Sequence, residues 1–406
     1  MVKNPNRTNR LVTYSHAGGM SKGPHKAASK LNILLVHVWF WPHIGGGNQH
    51  VEHIGRELVK RGHNVTVWCA DVPEHDEKEF QRGGINVVRF IPKRVLGGVD
   101  PIVSTTQKSI DEFDLIHLHD TLPTLIRQVL KRAKKQNKPI ITTYHNDYIK
   151  HGFISNIIKK MRWALQGRRT LHSSNGKIVL TTFFENLLRE KGVKGDIEII
   201  PNGFVPILES GIRPLKLPDK VENERQTLTF IGRLSEQKGL DVLLKAWEIS
   251  SLNSKPDFDL IIAGKGELGE WLVKKVETIP FSQHIHVLGV VSEEEKQWLF
   301  ENSTGIVIPS KFEGLPTVLL EAMHNRLPVI MSNVNGLGEL VNDAKCGISF
   351  DSGSDIELSK SMNLLISSSK KQLHEWGEAG NMAADKFLWK NVTEEILKLY
   401  NRVLKK

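Results

Sequence analysis

Two carboxylates, Glu313 and Glu321, bracket the stretch Glu-Gly-Leu-Pro-Thr-Val-Leu-Leu-Glu. Pro316 suits the first turn of a helix, because its missing N–H is not needed there and its φ is already set. Leu319, Leu320 and Met323 continue an apolar helical pattern, and Ile306-Val307-Ile308-Pro309-Ser310 beforehand reads as a buried parallel strand. Glu313 and Gly314 therefore fall in a strand-to-helix loop, with the free amides of Thr317 and Val318 just behind. Such amides, together with the helix dipole, make an anion site. Glu321 lies about one and a half turns into the helix. Carboxylates on both sides of an anion hole suit a ligand with hydroxyls flanking a phosphate, which is the form of a nucleotide sugar.

Other residues could serve the same ligand. Gly232-Arg233-Leu234-Ser235-Glu236-Gln237-Lys238-Gly239 directly follows a predicted strand, so Arg233 and Lys238 stand at the edge where parallel sheets bind ligands. Arg grips phosphate oxygens bidentately and Lys offers a point charge; alone, such a pair is ordinary solvated surface. Gly45-Gly46-Gly47, in another loop after a strand, permits close backbone approach to a phosphate or sugar, although turns use glycine for steric reasons alone. His117-Leu118-His119-Asp120 and Tyr144-His145-Asn146-Asp147 both end strands. Period-two geometry puts His117 and His119 on one face. No cysteines and no clean ligand quartet accompany them, so neutral, hydrogen-bonding histidines along a cleft are expected and no metal is assigned. His145 is the one placed to touch a transferred sugar.

Two patterns read as decoys. Gly264-Lys265-Gly266-Glu267-Leu268-Gly269 fits G-x-G-x-x-G, but the next strand runs into Gly289-Val290-Val291 with no acid for a ribose. It is expected to be a tight turn near the ligand, with Gly264 and Val290 facing the cleft. Asp257-Phe258-Asp259 resembles a metal-binding pair, yet precedes its strand and reads as a solvent loop.

The elements that position these groups follow from periodicity. Strands are predicted near residues 31–36, 65–68, 115–119, 140–143, 177–180 and 197–200, then 227–232, 260–263, 285–288, 306–308 and 328–331, with helical patterns between. This is an α/β chain with two Rossmann-like, doubly wound parallel sheets facing a deep cleft. Its 406 residues exceed one ordinary core. The expected parts are a disordered basic tail (1–30), an N-terminal domain (31–205), a C-terminal ligand-binding domain (206–385) and a last helix (386–406) that packs back on the first domain.

Composition narrows the classes. Only Cys69 and Cys346 occur, which argues against a disulfide framework and for a reducing, cytoplasmic setting. No secretory h-region and no apolar run of the ~20 residues that span a bilayer are present in the sequence. The net charge is +10, and Lys3, Arg7, Arg10, Lys22, Lys26 and Lys30 of the tail supply six of it. Nucleic-acid binding by the folded part is therefore not expected. A second acid-free stretch, 148–184, carries Lys150, Lys159, Lys160, Arg162, Arg168, Arg169 and Lys177. Its segment 153–171 has Ile154, Ile157, Ile158, Met161 and Leu165 at helical spacing. That is either a core-facing helix with a wet basic side or a face for an anionic membrane.

In this order the residues resemble one family, the family-4 retaining glycosyltransferases of the GT-B fold. The resemblance rests on Phe40-Trp41-Pro42-His43-Ile44-Gly45-Gly46, Arg61-Gly62-His63-Asn64-Val65-Thr66-Val67, Ile200-Pro201-Asn202-Gly203, Gly232-Arg233-Leu234, Lys238-Gly239-Leu240, Gly289, Pro309-Ser310 and Glu313 to Glu321-Ala322-Met323. It implies that Arg233 and Lys238 bind the donor diphosphate, that Glu321 holds the ribose hydroxyls, and that Glu313 and His145 sit by the donor sugar. Gly46 would approach the phosphates, and the amides of Leu315 and Thr317 would help hold the donor. Pro316 replaces a glycine common in that loop and removes one N–H.

The activity this implies is transfer of a hexose from a UDP- or GDP-sugar, without cofactor or metal, to a sugar, glycan or polyprenyl- or lipid-linked acceptor. Front-face attack with the leaving phosphate as base belongs to the same expectation, and the acid-free stretch 148–184 adds that of peripheral attachment to the inner membrane face. The alternatives are a nucleotide-sugar epimerase of similar form and a non-enzymatic polyanion-binding protein.

Overall fold

Short β-branched and leucine-rich runs, each followed by a 3.6-period apolar segment, must become strands covered on both faces. The computed structural model describes residues 30–43, 46–96, 100–145, 161, 163–206, 225–251 and 256–405. The expected tail, apart from Lys30, lies outside them, as do Gly45 and residues 146–160.

The first sheet holds β1 (Asn32–Val36), β2 (Asn64–Ala70), β3 (Glu79–Arg82), β4 (Ile85–Phe90), β7 (Leu115–His119), β8 (Ile140–Tyr144), β9 (Gly176–Val179) and β10 (Glu198–Ile199). Their order is β10-β9-β8-β7-β1-β2-β4-β3, and β3 alone runs antiparallel to its neighbour. A separate hairpin pairs β5 (Arg94–Leu96) with β6 (Asp100–Ile102). The second sheet holds β11 (Gln226–Ile231), β12 (Phe258–Ala263), β13 (Ile285–Gly289), β14 (Gly305–Ile308), β15 (Val329–Ser332) and β16 (Gly347–Phe350), in the order β13-β12-β11-β14-β15-β16. All its pairs are parallel.

Each sheet reverses its strand order once. In the first the reversal lies between β1 and β7, in the second between β11 and β14. At such a switch point, loops leave neighbouring strands in opposite directions and open a crevice at the carboxyl edge.

The helix Trp389–Leu404 returns to the first sheet. Trp389, Val392, Ile396, Leu399, Tyr400 and Val403 share a core with Ile33, Leu35, Val51 and Ile54. Gly203 admits this return: a Cβ there would lie 2.5 Å from the Trp389 indole.

The structure departs from the sequence reading in four places. Strands β3 to β6 and β16 were not anticipated; β3 and β5 carry no buried apolar stripe, although β4 does. Gly46 and Gly47 are the first residues of the helix Gly46–Lys60, not a loop before it. Asp259 is no solvent-loop residue: it lies fully buried inside β12, held by Arg225 at 2.8 Å and His284 at 2.9 Å, with His286 at 3.3 Å. Finally, Met161 and Leu165 are 58% and 59% exposed, so they face solvent instead of a core, and Lys177 is buried rather than part of a basic surface.

Candidate active site

The loops after β11 and β14 leave adjacent strands and are sewn together by their backbones. Lys311 N–H donates to Gln237 O at 2.8 Å, and Gln237 Nε2 donates to Phe312 O at 2.8 Å. Gly239, at φ +68°, backs directly onto Pro309; a Cβ there would meet the Pro309 carbonyl oxygen at 2.0 Å. This close approach brings Lys238 to Glu313. Their side chains form an ion pair, and Ser310 Oγ donates to the same carboxylate oxygen at 2.8 Å. Glu313 is 7% exposed, so its charge is stabilised by these two donors rather than by water. Asn335 Nδ2 fixes the loop further through the Glu313 carbonyl at 2.5 Å.

Arg233 sits on the same loop, exposed, and among the described residues forms no ion pair. Its loop is braced from behind by the glycine pattern read as a decoy. Gly232 N–H donates to Ala263 O at 3.0 Å, Leu234 N–H to Lys265 O at 2.9 Å, and Leu268 N–H to Leu234 O at 2.9 Å. A Cβ on Gly264 (φ +145°) would lie 1.8 Å from Gly232 O, and one on Gly266 2.3 Å from Leu234 O. These glycines therefore seat the Arg233 loop. Val290, 64% exposed, flanks the turn through Gly289, whose carbonyl accepts from Gly264 N–H at 2.6 Å.

Pro316 is the cap of the helix Thr317–His324, and no side chain caps its first turn. The amides of Thr317 and Val318 thus remain directed at the loop that carries Glu313 and Gly314. One turn on, Glu321 meets Lys296 of the helix Glu293–Asn302 at 3.2 Å, and Lys296 also holds Glu293 at 2.7 Å. Burial pushes the Glu321 carboxyl above its ordinary pKa, and Lys296 pulls in the opposite direction. Burial works against the Lys296 charge as well, but the two carboxylates outweigh it and raise its pKa.

The switch point of the first sheet carries histidines. His37 follows β1, His119 ends β7, His145 follows β8, and His50 rises from the first turns of the helix Gly46–Lys60. His119 Nδ1 lies 3.3 Å from His145 Nε2, and His50 faces both rings at centroid distances of 5.4 and 4.7 Å. His117 lies behind His119, its ring tilted by 32° at a centroid distance of 4.1 Å, and is bonded to Tyr400 Oη and Thr143 Oγ1, each at 2.7 Å. Burial keeps all five neutral: it lowers His37 to about 4 and His50 to about 3, and holds His117, His119 and His145 well below the usual range.

Asn202 joins the two halves. Its Oδ1 accepts from His50 Nδ1 at 2.7 Å and its Nδ2 donates to Leu315 O at 3.4 Å. The His145 carbonyl lies 3.7 Å from where a Gly314 side chain would start. Thus His145 faces Gly314 and Asn202 reaches Leu315, while the loops that carry Arg233, Lys238 and Glu313 join at the β11/β14 crevice, with Thr317 and Val318 opening the helix that follows. Glu321 stands one turn deeper. His119 is fully buried behind His145 rather than lining the cleft itself.

Of the glycine run, Gly46 has open space around it, whereas a Cβ on Gly47 would lie 3.0 Å from the His37 ring. Sequence reasoning overlooked His37, His50 and Lys296, and quoted Asn202 and Ser310 without giving them a role. His37 and Asn202 stood in strand-end positions where they could have been read. Lys296, within Glu293-Glu294-Glu295-Lys296, looks like any solvated charge run.

Comparison with known proteins accords with this geometry. Residues 44–206 match the family described as "Glycosyltransferase Family 4", and residues 216–382 match "Glycosyl transferases group 1". Together the two matches take in the second crevice and all of the first except β1 and His37. The chain belongs to the family-4, group 1 glycosyltransferases. An uncharacterized glycosyltransferase of Methanocaldococcus jannaschii is 25% identical over 409 residues, covering 91% of this chain and 98% of the relative.

The fold of this glycosyltransferase is GT-B. Sucrose-phosphate synthase from Thermosynechococcus elongatus superposes with a TM-score of 0.74 at 18% identity, covering 93% of this chain and all of the other. Anabaena HepE, solved in complex with UDP, gives a TM-score of 0.72 at 19% identity over 92% of this chain and all of its own. HepE has also been solved with UDP-glucose. In this glycosyltransferase the second switch point lies wholly within the group 1 match, while the first pairs β1, which precedes the family-4 match, with β7, which lies inside it.

Proposed function

We propose that this glycosyltransferase moves a hexose from a UDP- or GDP-sugar to a hydroxyl of a glycan, lipid-linked or small-molecule acceptor, with retention of anomeric configuration. The observation that carries the reading is the Lys238–Glu313 ion pair where the β11 and β14 loops join, with Arg233 on the first loop and the uncapped start of the helix Thr317–His324 after the second. The UDP and UDP-glucose complexes of HepE support a nucleoside diphosphate donor.

Cleaving the bond between the sugar and the diphosphate develops positive charge on the sugar and negative charge on the departing oxygens. Arg233, Lys238 and the helix terminus meet that negative charge with donors already in position, which lowers the barrier without reorganisation. Glu313, tied to Lys238 and Ser310, accepts hydroxyls of the sugar. Glu321, aligned by Lys296, accepts those of the ribose. His145 presents its backbone and neutral ring to the sugar from the opposite wall.

Both carboxylates are engaged by cations and so are poorly placed to act as covalent nucleophiles. The acceptor is therefore expected to attack on the face the diphosphate leaves, passing its proton to the phosphate. The anomeric configuration of the product, read by proton NMR, tests this: inversion would refute the retaining mechanism and leave the donor site standing.

Exposed Met161 and Leu165 beside exposed Arg168 and Arg169 support docking of the first domain on an anionic membrane, the cytoplasmic face in this reading. Among the described residues no helix is long and apolar enough to cross one. Flotation with phosphatidylglycerol vesicles, compared with phosphatidylcholine, tests the attachment.

A further inference from the structure

The histidines of the first switch point differ in one respect. His117 is fully buried, and both its ring nitrogens have partners, Tyr400 Oη and Thr143 Oγ1. His50 and His119 are 2% and 0% exposed, yet the Nε2 atom of each has no hydrogen-bond partner among the described residues. A buried polar atom left without a partner is destabilising, so two in one cluster ask for a ligand.

The cluster has the shape of a ligand set. One ring nitrogen from each of His50, His119 and His145 lies within 4.8 Å of the other two. The ring centroids are 4.7, 5.4 and 5.6 Å apart. Three imidazoles on one tetrahedral zinc, bonded at about 2.0–2.1 Å, hold their ring centres about 5 Å apart and their nitrogens about 3.3 Å apart. The closure required is of the order of an ångström, which side-chain rotation supplies.

The protonation state fits too, since a ligating imidazole must be neutral. Burial holds His50 near 3 and keeps His119 and His145 well below the ordinary histidine range, so all three rings are neutral at neutral pH. Asn202 supplies the outer support that metal-binding histidines use. Its Oδ1 accepts the Nδ1 proton of His50 at 2.7 Å, which leaves the Nε2 lone pair free.

We propose that His50, His119 and His145 form a three-imidazole site for one divalent transition ion of the zinc class. The fourth position is left to water. Sugar transfer as proposed above does not use this ion. The inference rests on that reading in one respect: His145 serves both, so the ion and the donor sugar exclude one another, and the ion inhibits.

The test titrates Co2+ into the chelator-stripped full chain and reads its visible ligand-field bands without turnover. One equivalent should give a tetrahedral spectrum that Zn2+ displaces. His50→Ala and His119→Ala should each weaken binding by at least about 100-fold, and Asn202→Ala by about 10–100-fold. Because removing a buried histidine can unfold the sheet, thermal midpoints accompany each variant. Zn2+ should raise the midpoint of the unmodified chain by mass action, and the increment should vanish in His50→Ala. Only octahedral Co2+ bands, or a tetrahedral spectrum that survives in both variants, would overturn the site. Absence of ion binding alongside normal turnover overturns the metal site and leaves the proposed function intact. A chain that binds one ion yet turns over donor equally fast keeps the site but overturns its exclusion of donor and the assignment of His145 to the sugar.

Discussion

Lys238 and Glu313, 75 residues apart in sequence, form an ion pair across the loops of two adjacent parallel strands, and Ser310 donates to the same carboxylate oxygen. The pair does two jobs, holding the loops together and setting a cation near the uncapped start of the helix Thr317–His324. Lys238→Ala should therefore cost about 2 kcal/mol of stability, because a mostly buried carboxylate loses its counter-charge. In the double variant with Glu313→Gln the combined loss should be smaller than the sum of the single losses. Chemical denaturation of the four chains measures this; strictly additive losses would mean the pair is not coupled.

Lys296 should matter to donor binding although it lies outside the loops. Replacing it by Met leaves Glu321 buried without a cation, which drives its already raised pKa higher still. KM for the donor should rise about tenfold, equivalent to about 1.4 kcal/mol, with kcat little changed. The loss should deepen as pH falls, because the carboxyl then protonates within the working range. Lys296→Arg should restore most of the affinity. Steady-state kinetics from pH 6 to 8, an interval of about two units around neutrality, would expose a purely structural role as an equal, pH-independent loss.

Gly264 and Gly46 should separate bracing from contact. Gly264→Ala places a Cβ against Gly232 O at a φ that L residues rarely adopt. It should cost about 2 kcal/mol or more and displace Arg233, lowering kcat/KM. Gly46→Ala meets nothing within 4 Å among the described residues. Its thermal midpoint should stay unchanged while KM for the donor rises, since the added methyl intrudes only on a ligand. Unchanged KM would remove Gly46 from the donor site.

Stability should fall in mild acid. His37, His50, His117, His119 and His145 all have folded pKa values depressed by burial. Below about pH 6.5 the unfolded chain takes up protons that the folded chain refuses, so stability is full above that pH and is lost on the way down. Each histidine contributes up to about 1.4 kcal/mol per pH unit, and five give up to about 7. Thermal melts at neutral and mildly acidic pH should show a steep drop of the midpoint; a flat profile would contradict the buried neutral cluster.

Much of this was legible in the sequence. Parallel strands announce themselves as apolar runs, so the Arg233, Lys238 and Glu313 loops could be put on one sheet edge before any coordinates. Less legible were interactions that depend on three-dimensional juxtaposition. Lys296 reaches Glu321 from a helix whose charge run gives no hint of burial. His50 joins His119 and His145 only because the helix starts at Gly46 rather than after Gly47. Asp259 looked solvated because a charged residue at a strand start usually is; Arg225 and two histidines make its burial tolerable. The exposed Met161 and Leu165 fit a helical apolar stripe equally well, since periodicity does not tell a core from a membrane.

Arg233 offers the most direct measurement. It is exposed, has no ion-pair partner among the described residues, and its removal should leave the thermal midpoint unchanged. Isothermal titration of the full chain with UDP and GDP, paired with turnover of the matching sugar nucleotides, compares the unmodified chain with Arg233→Ala. The account predicts at least about tenfold weaker binding of the preferred nucleoside diphosphate and about 10²–10³-fold slower turnover. Equal affinity and equal turnover in the two chains would contradict the claim that the diphosphate is held at the β11/β14 crevice.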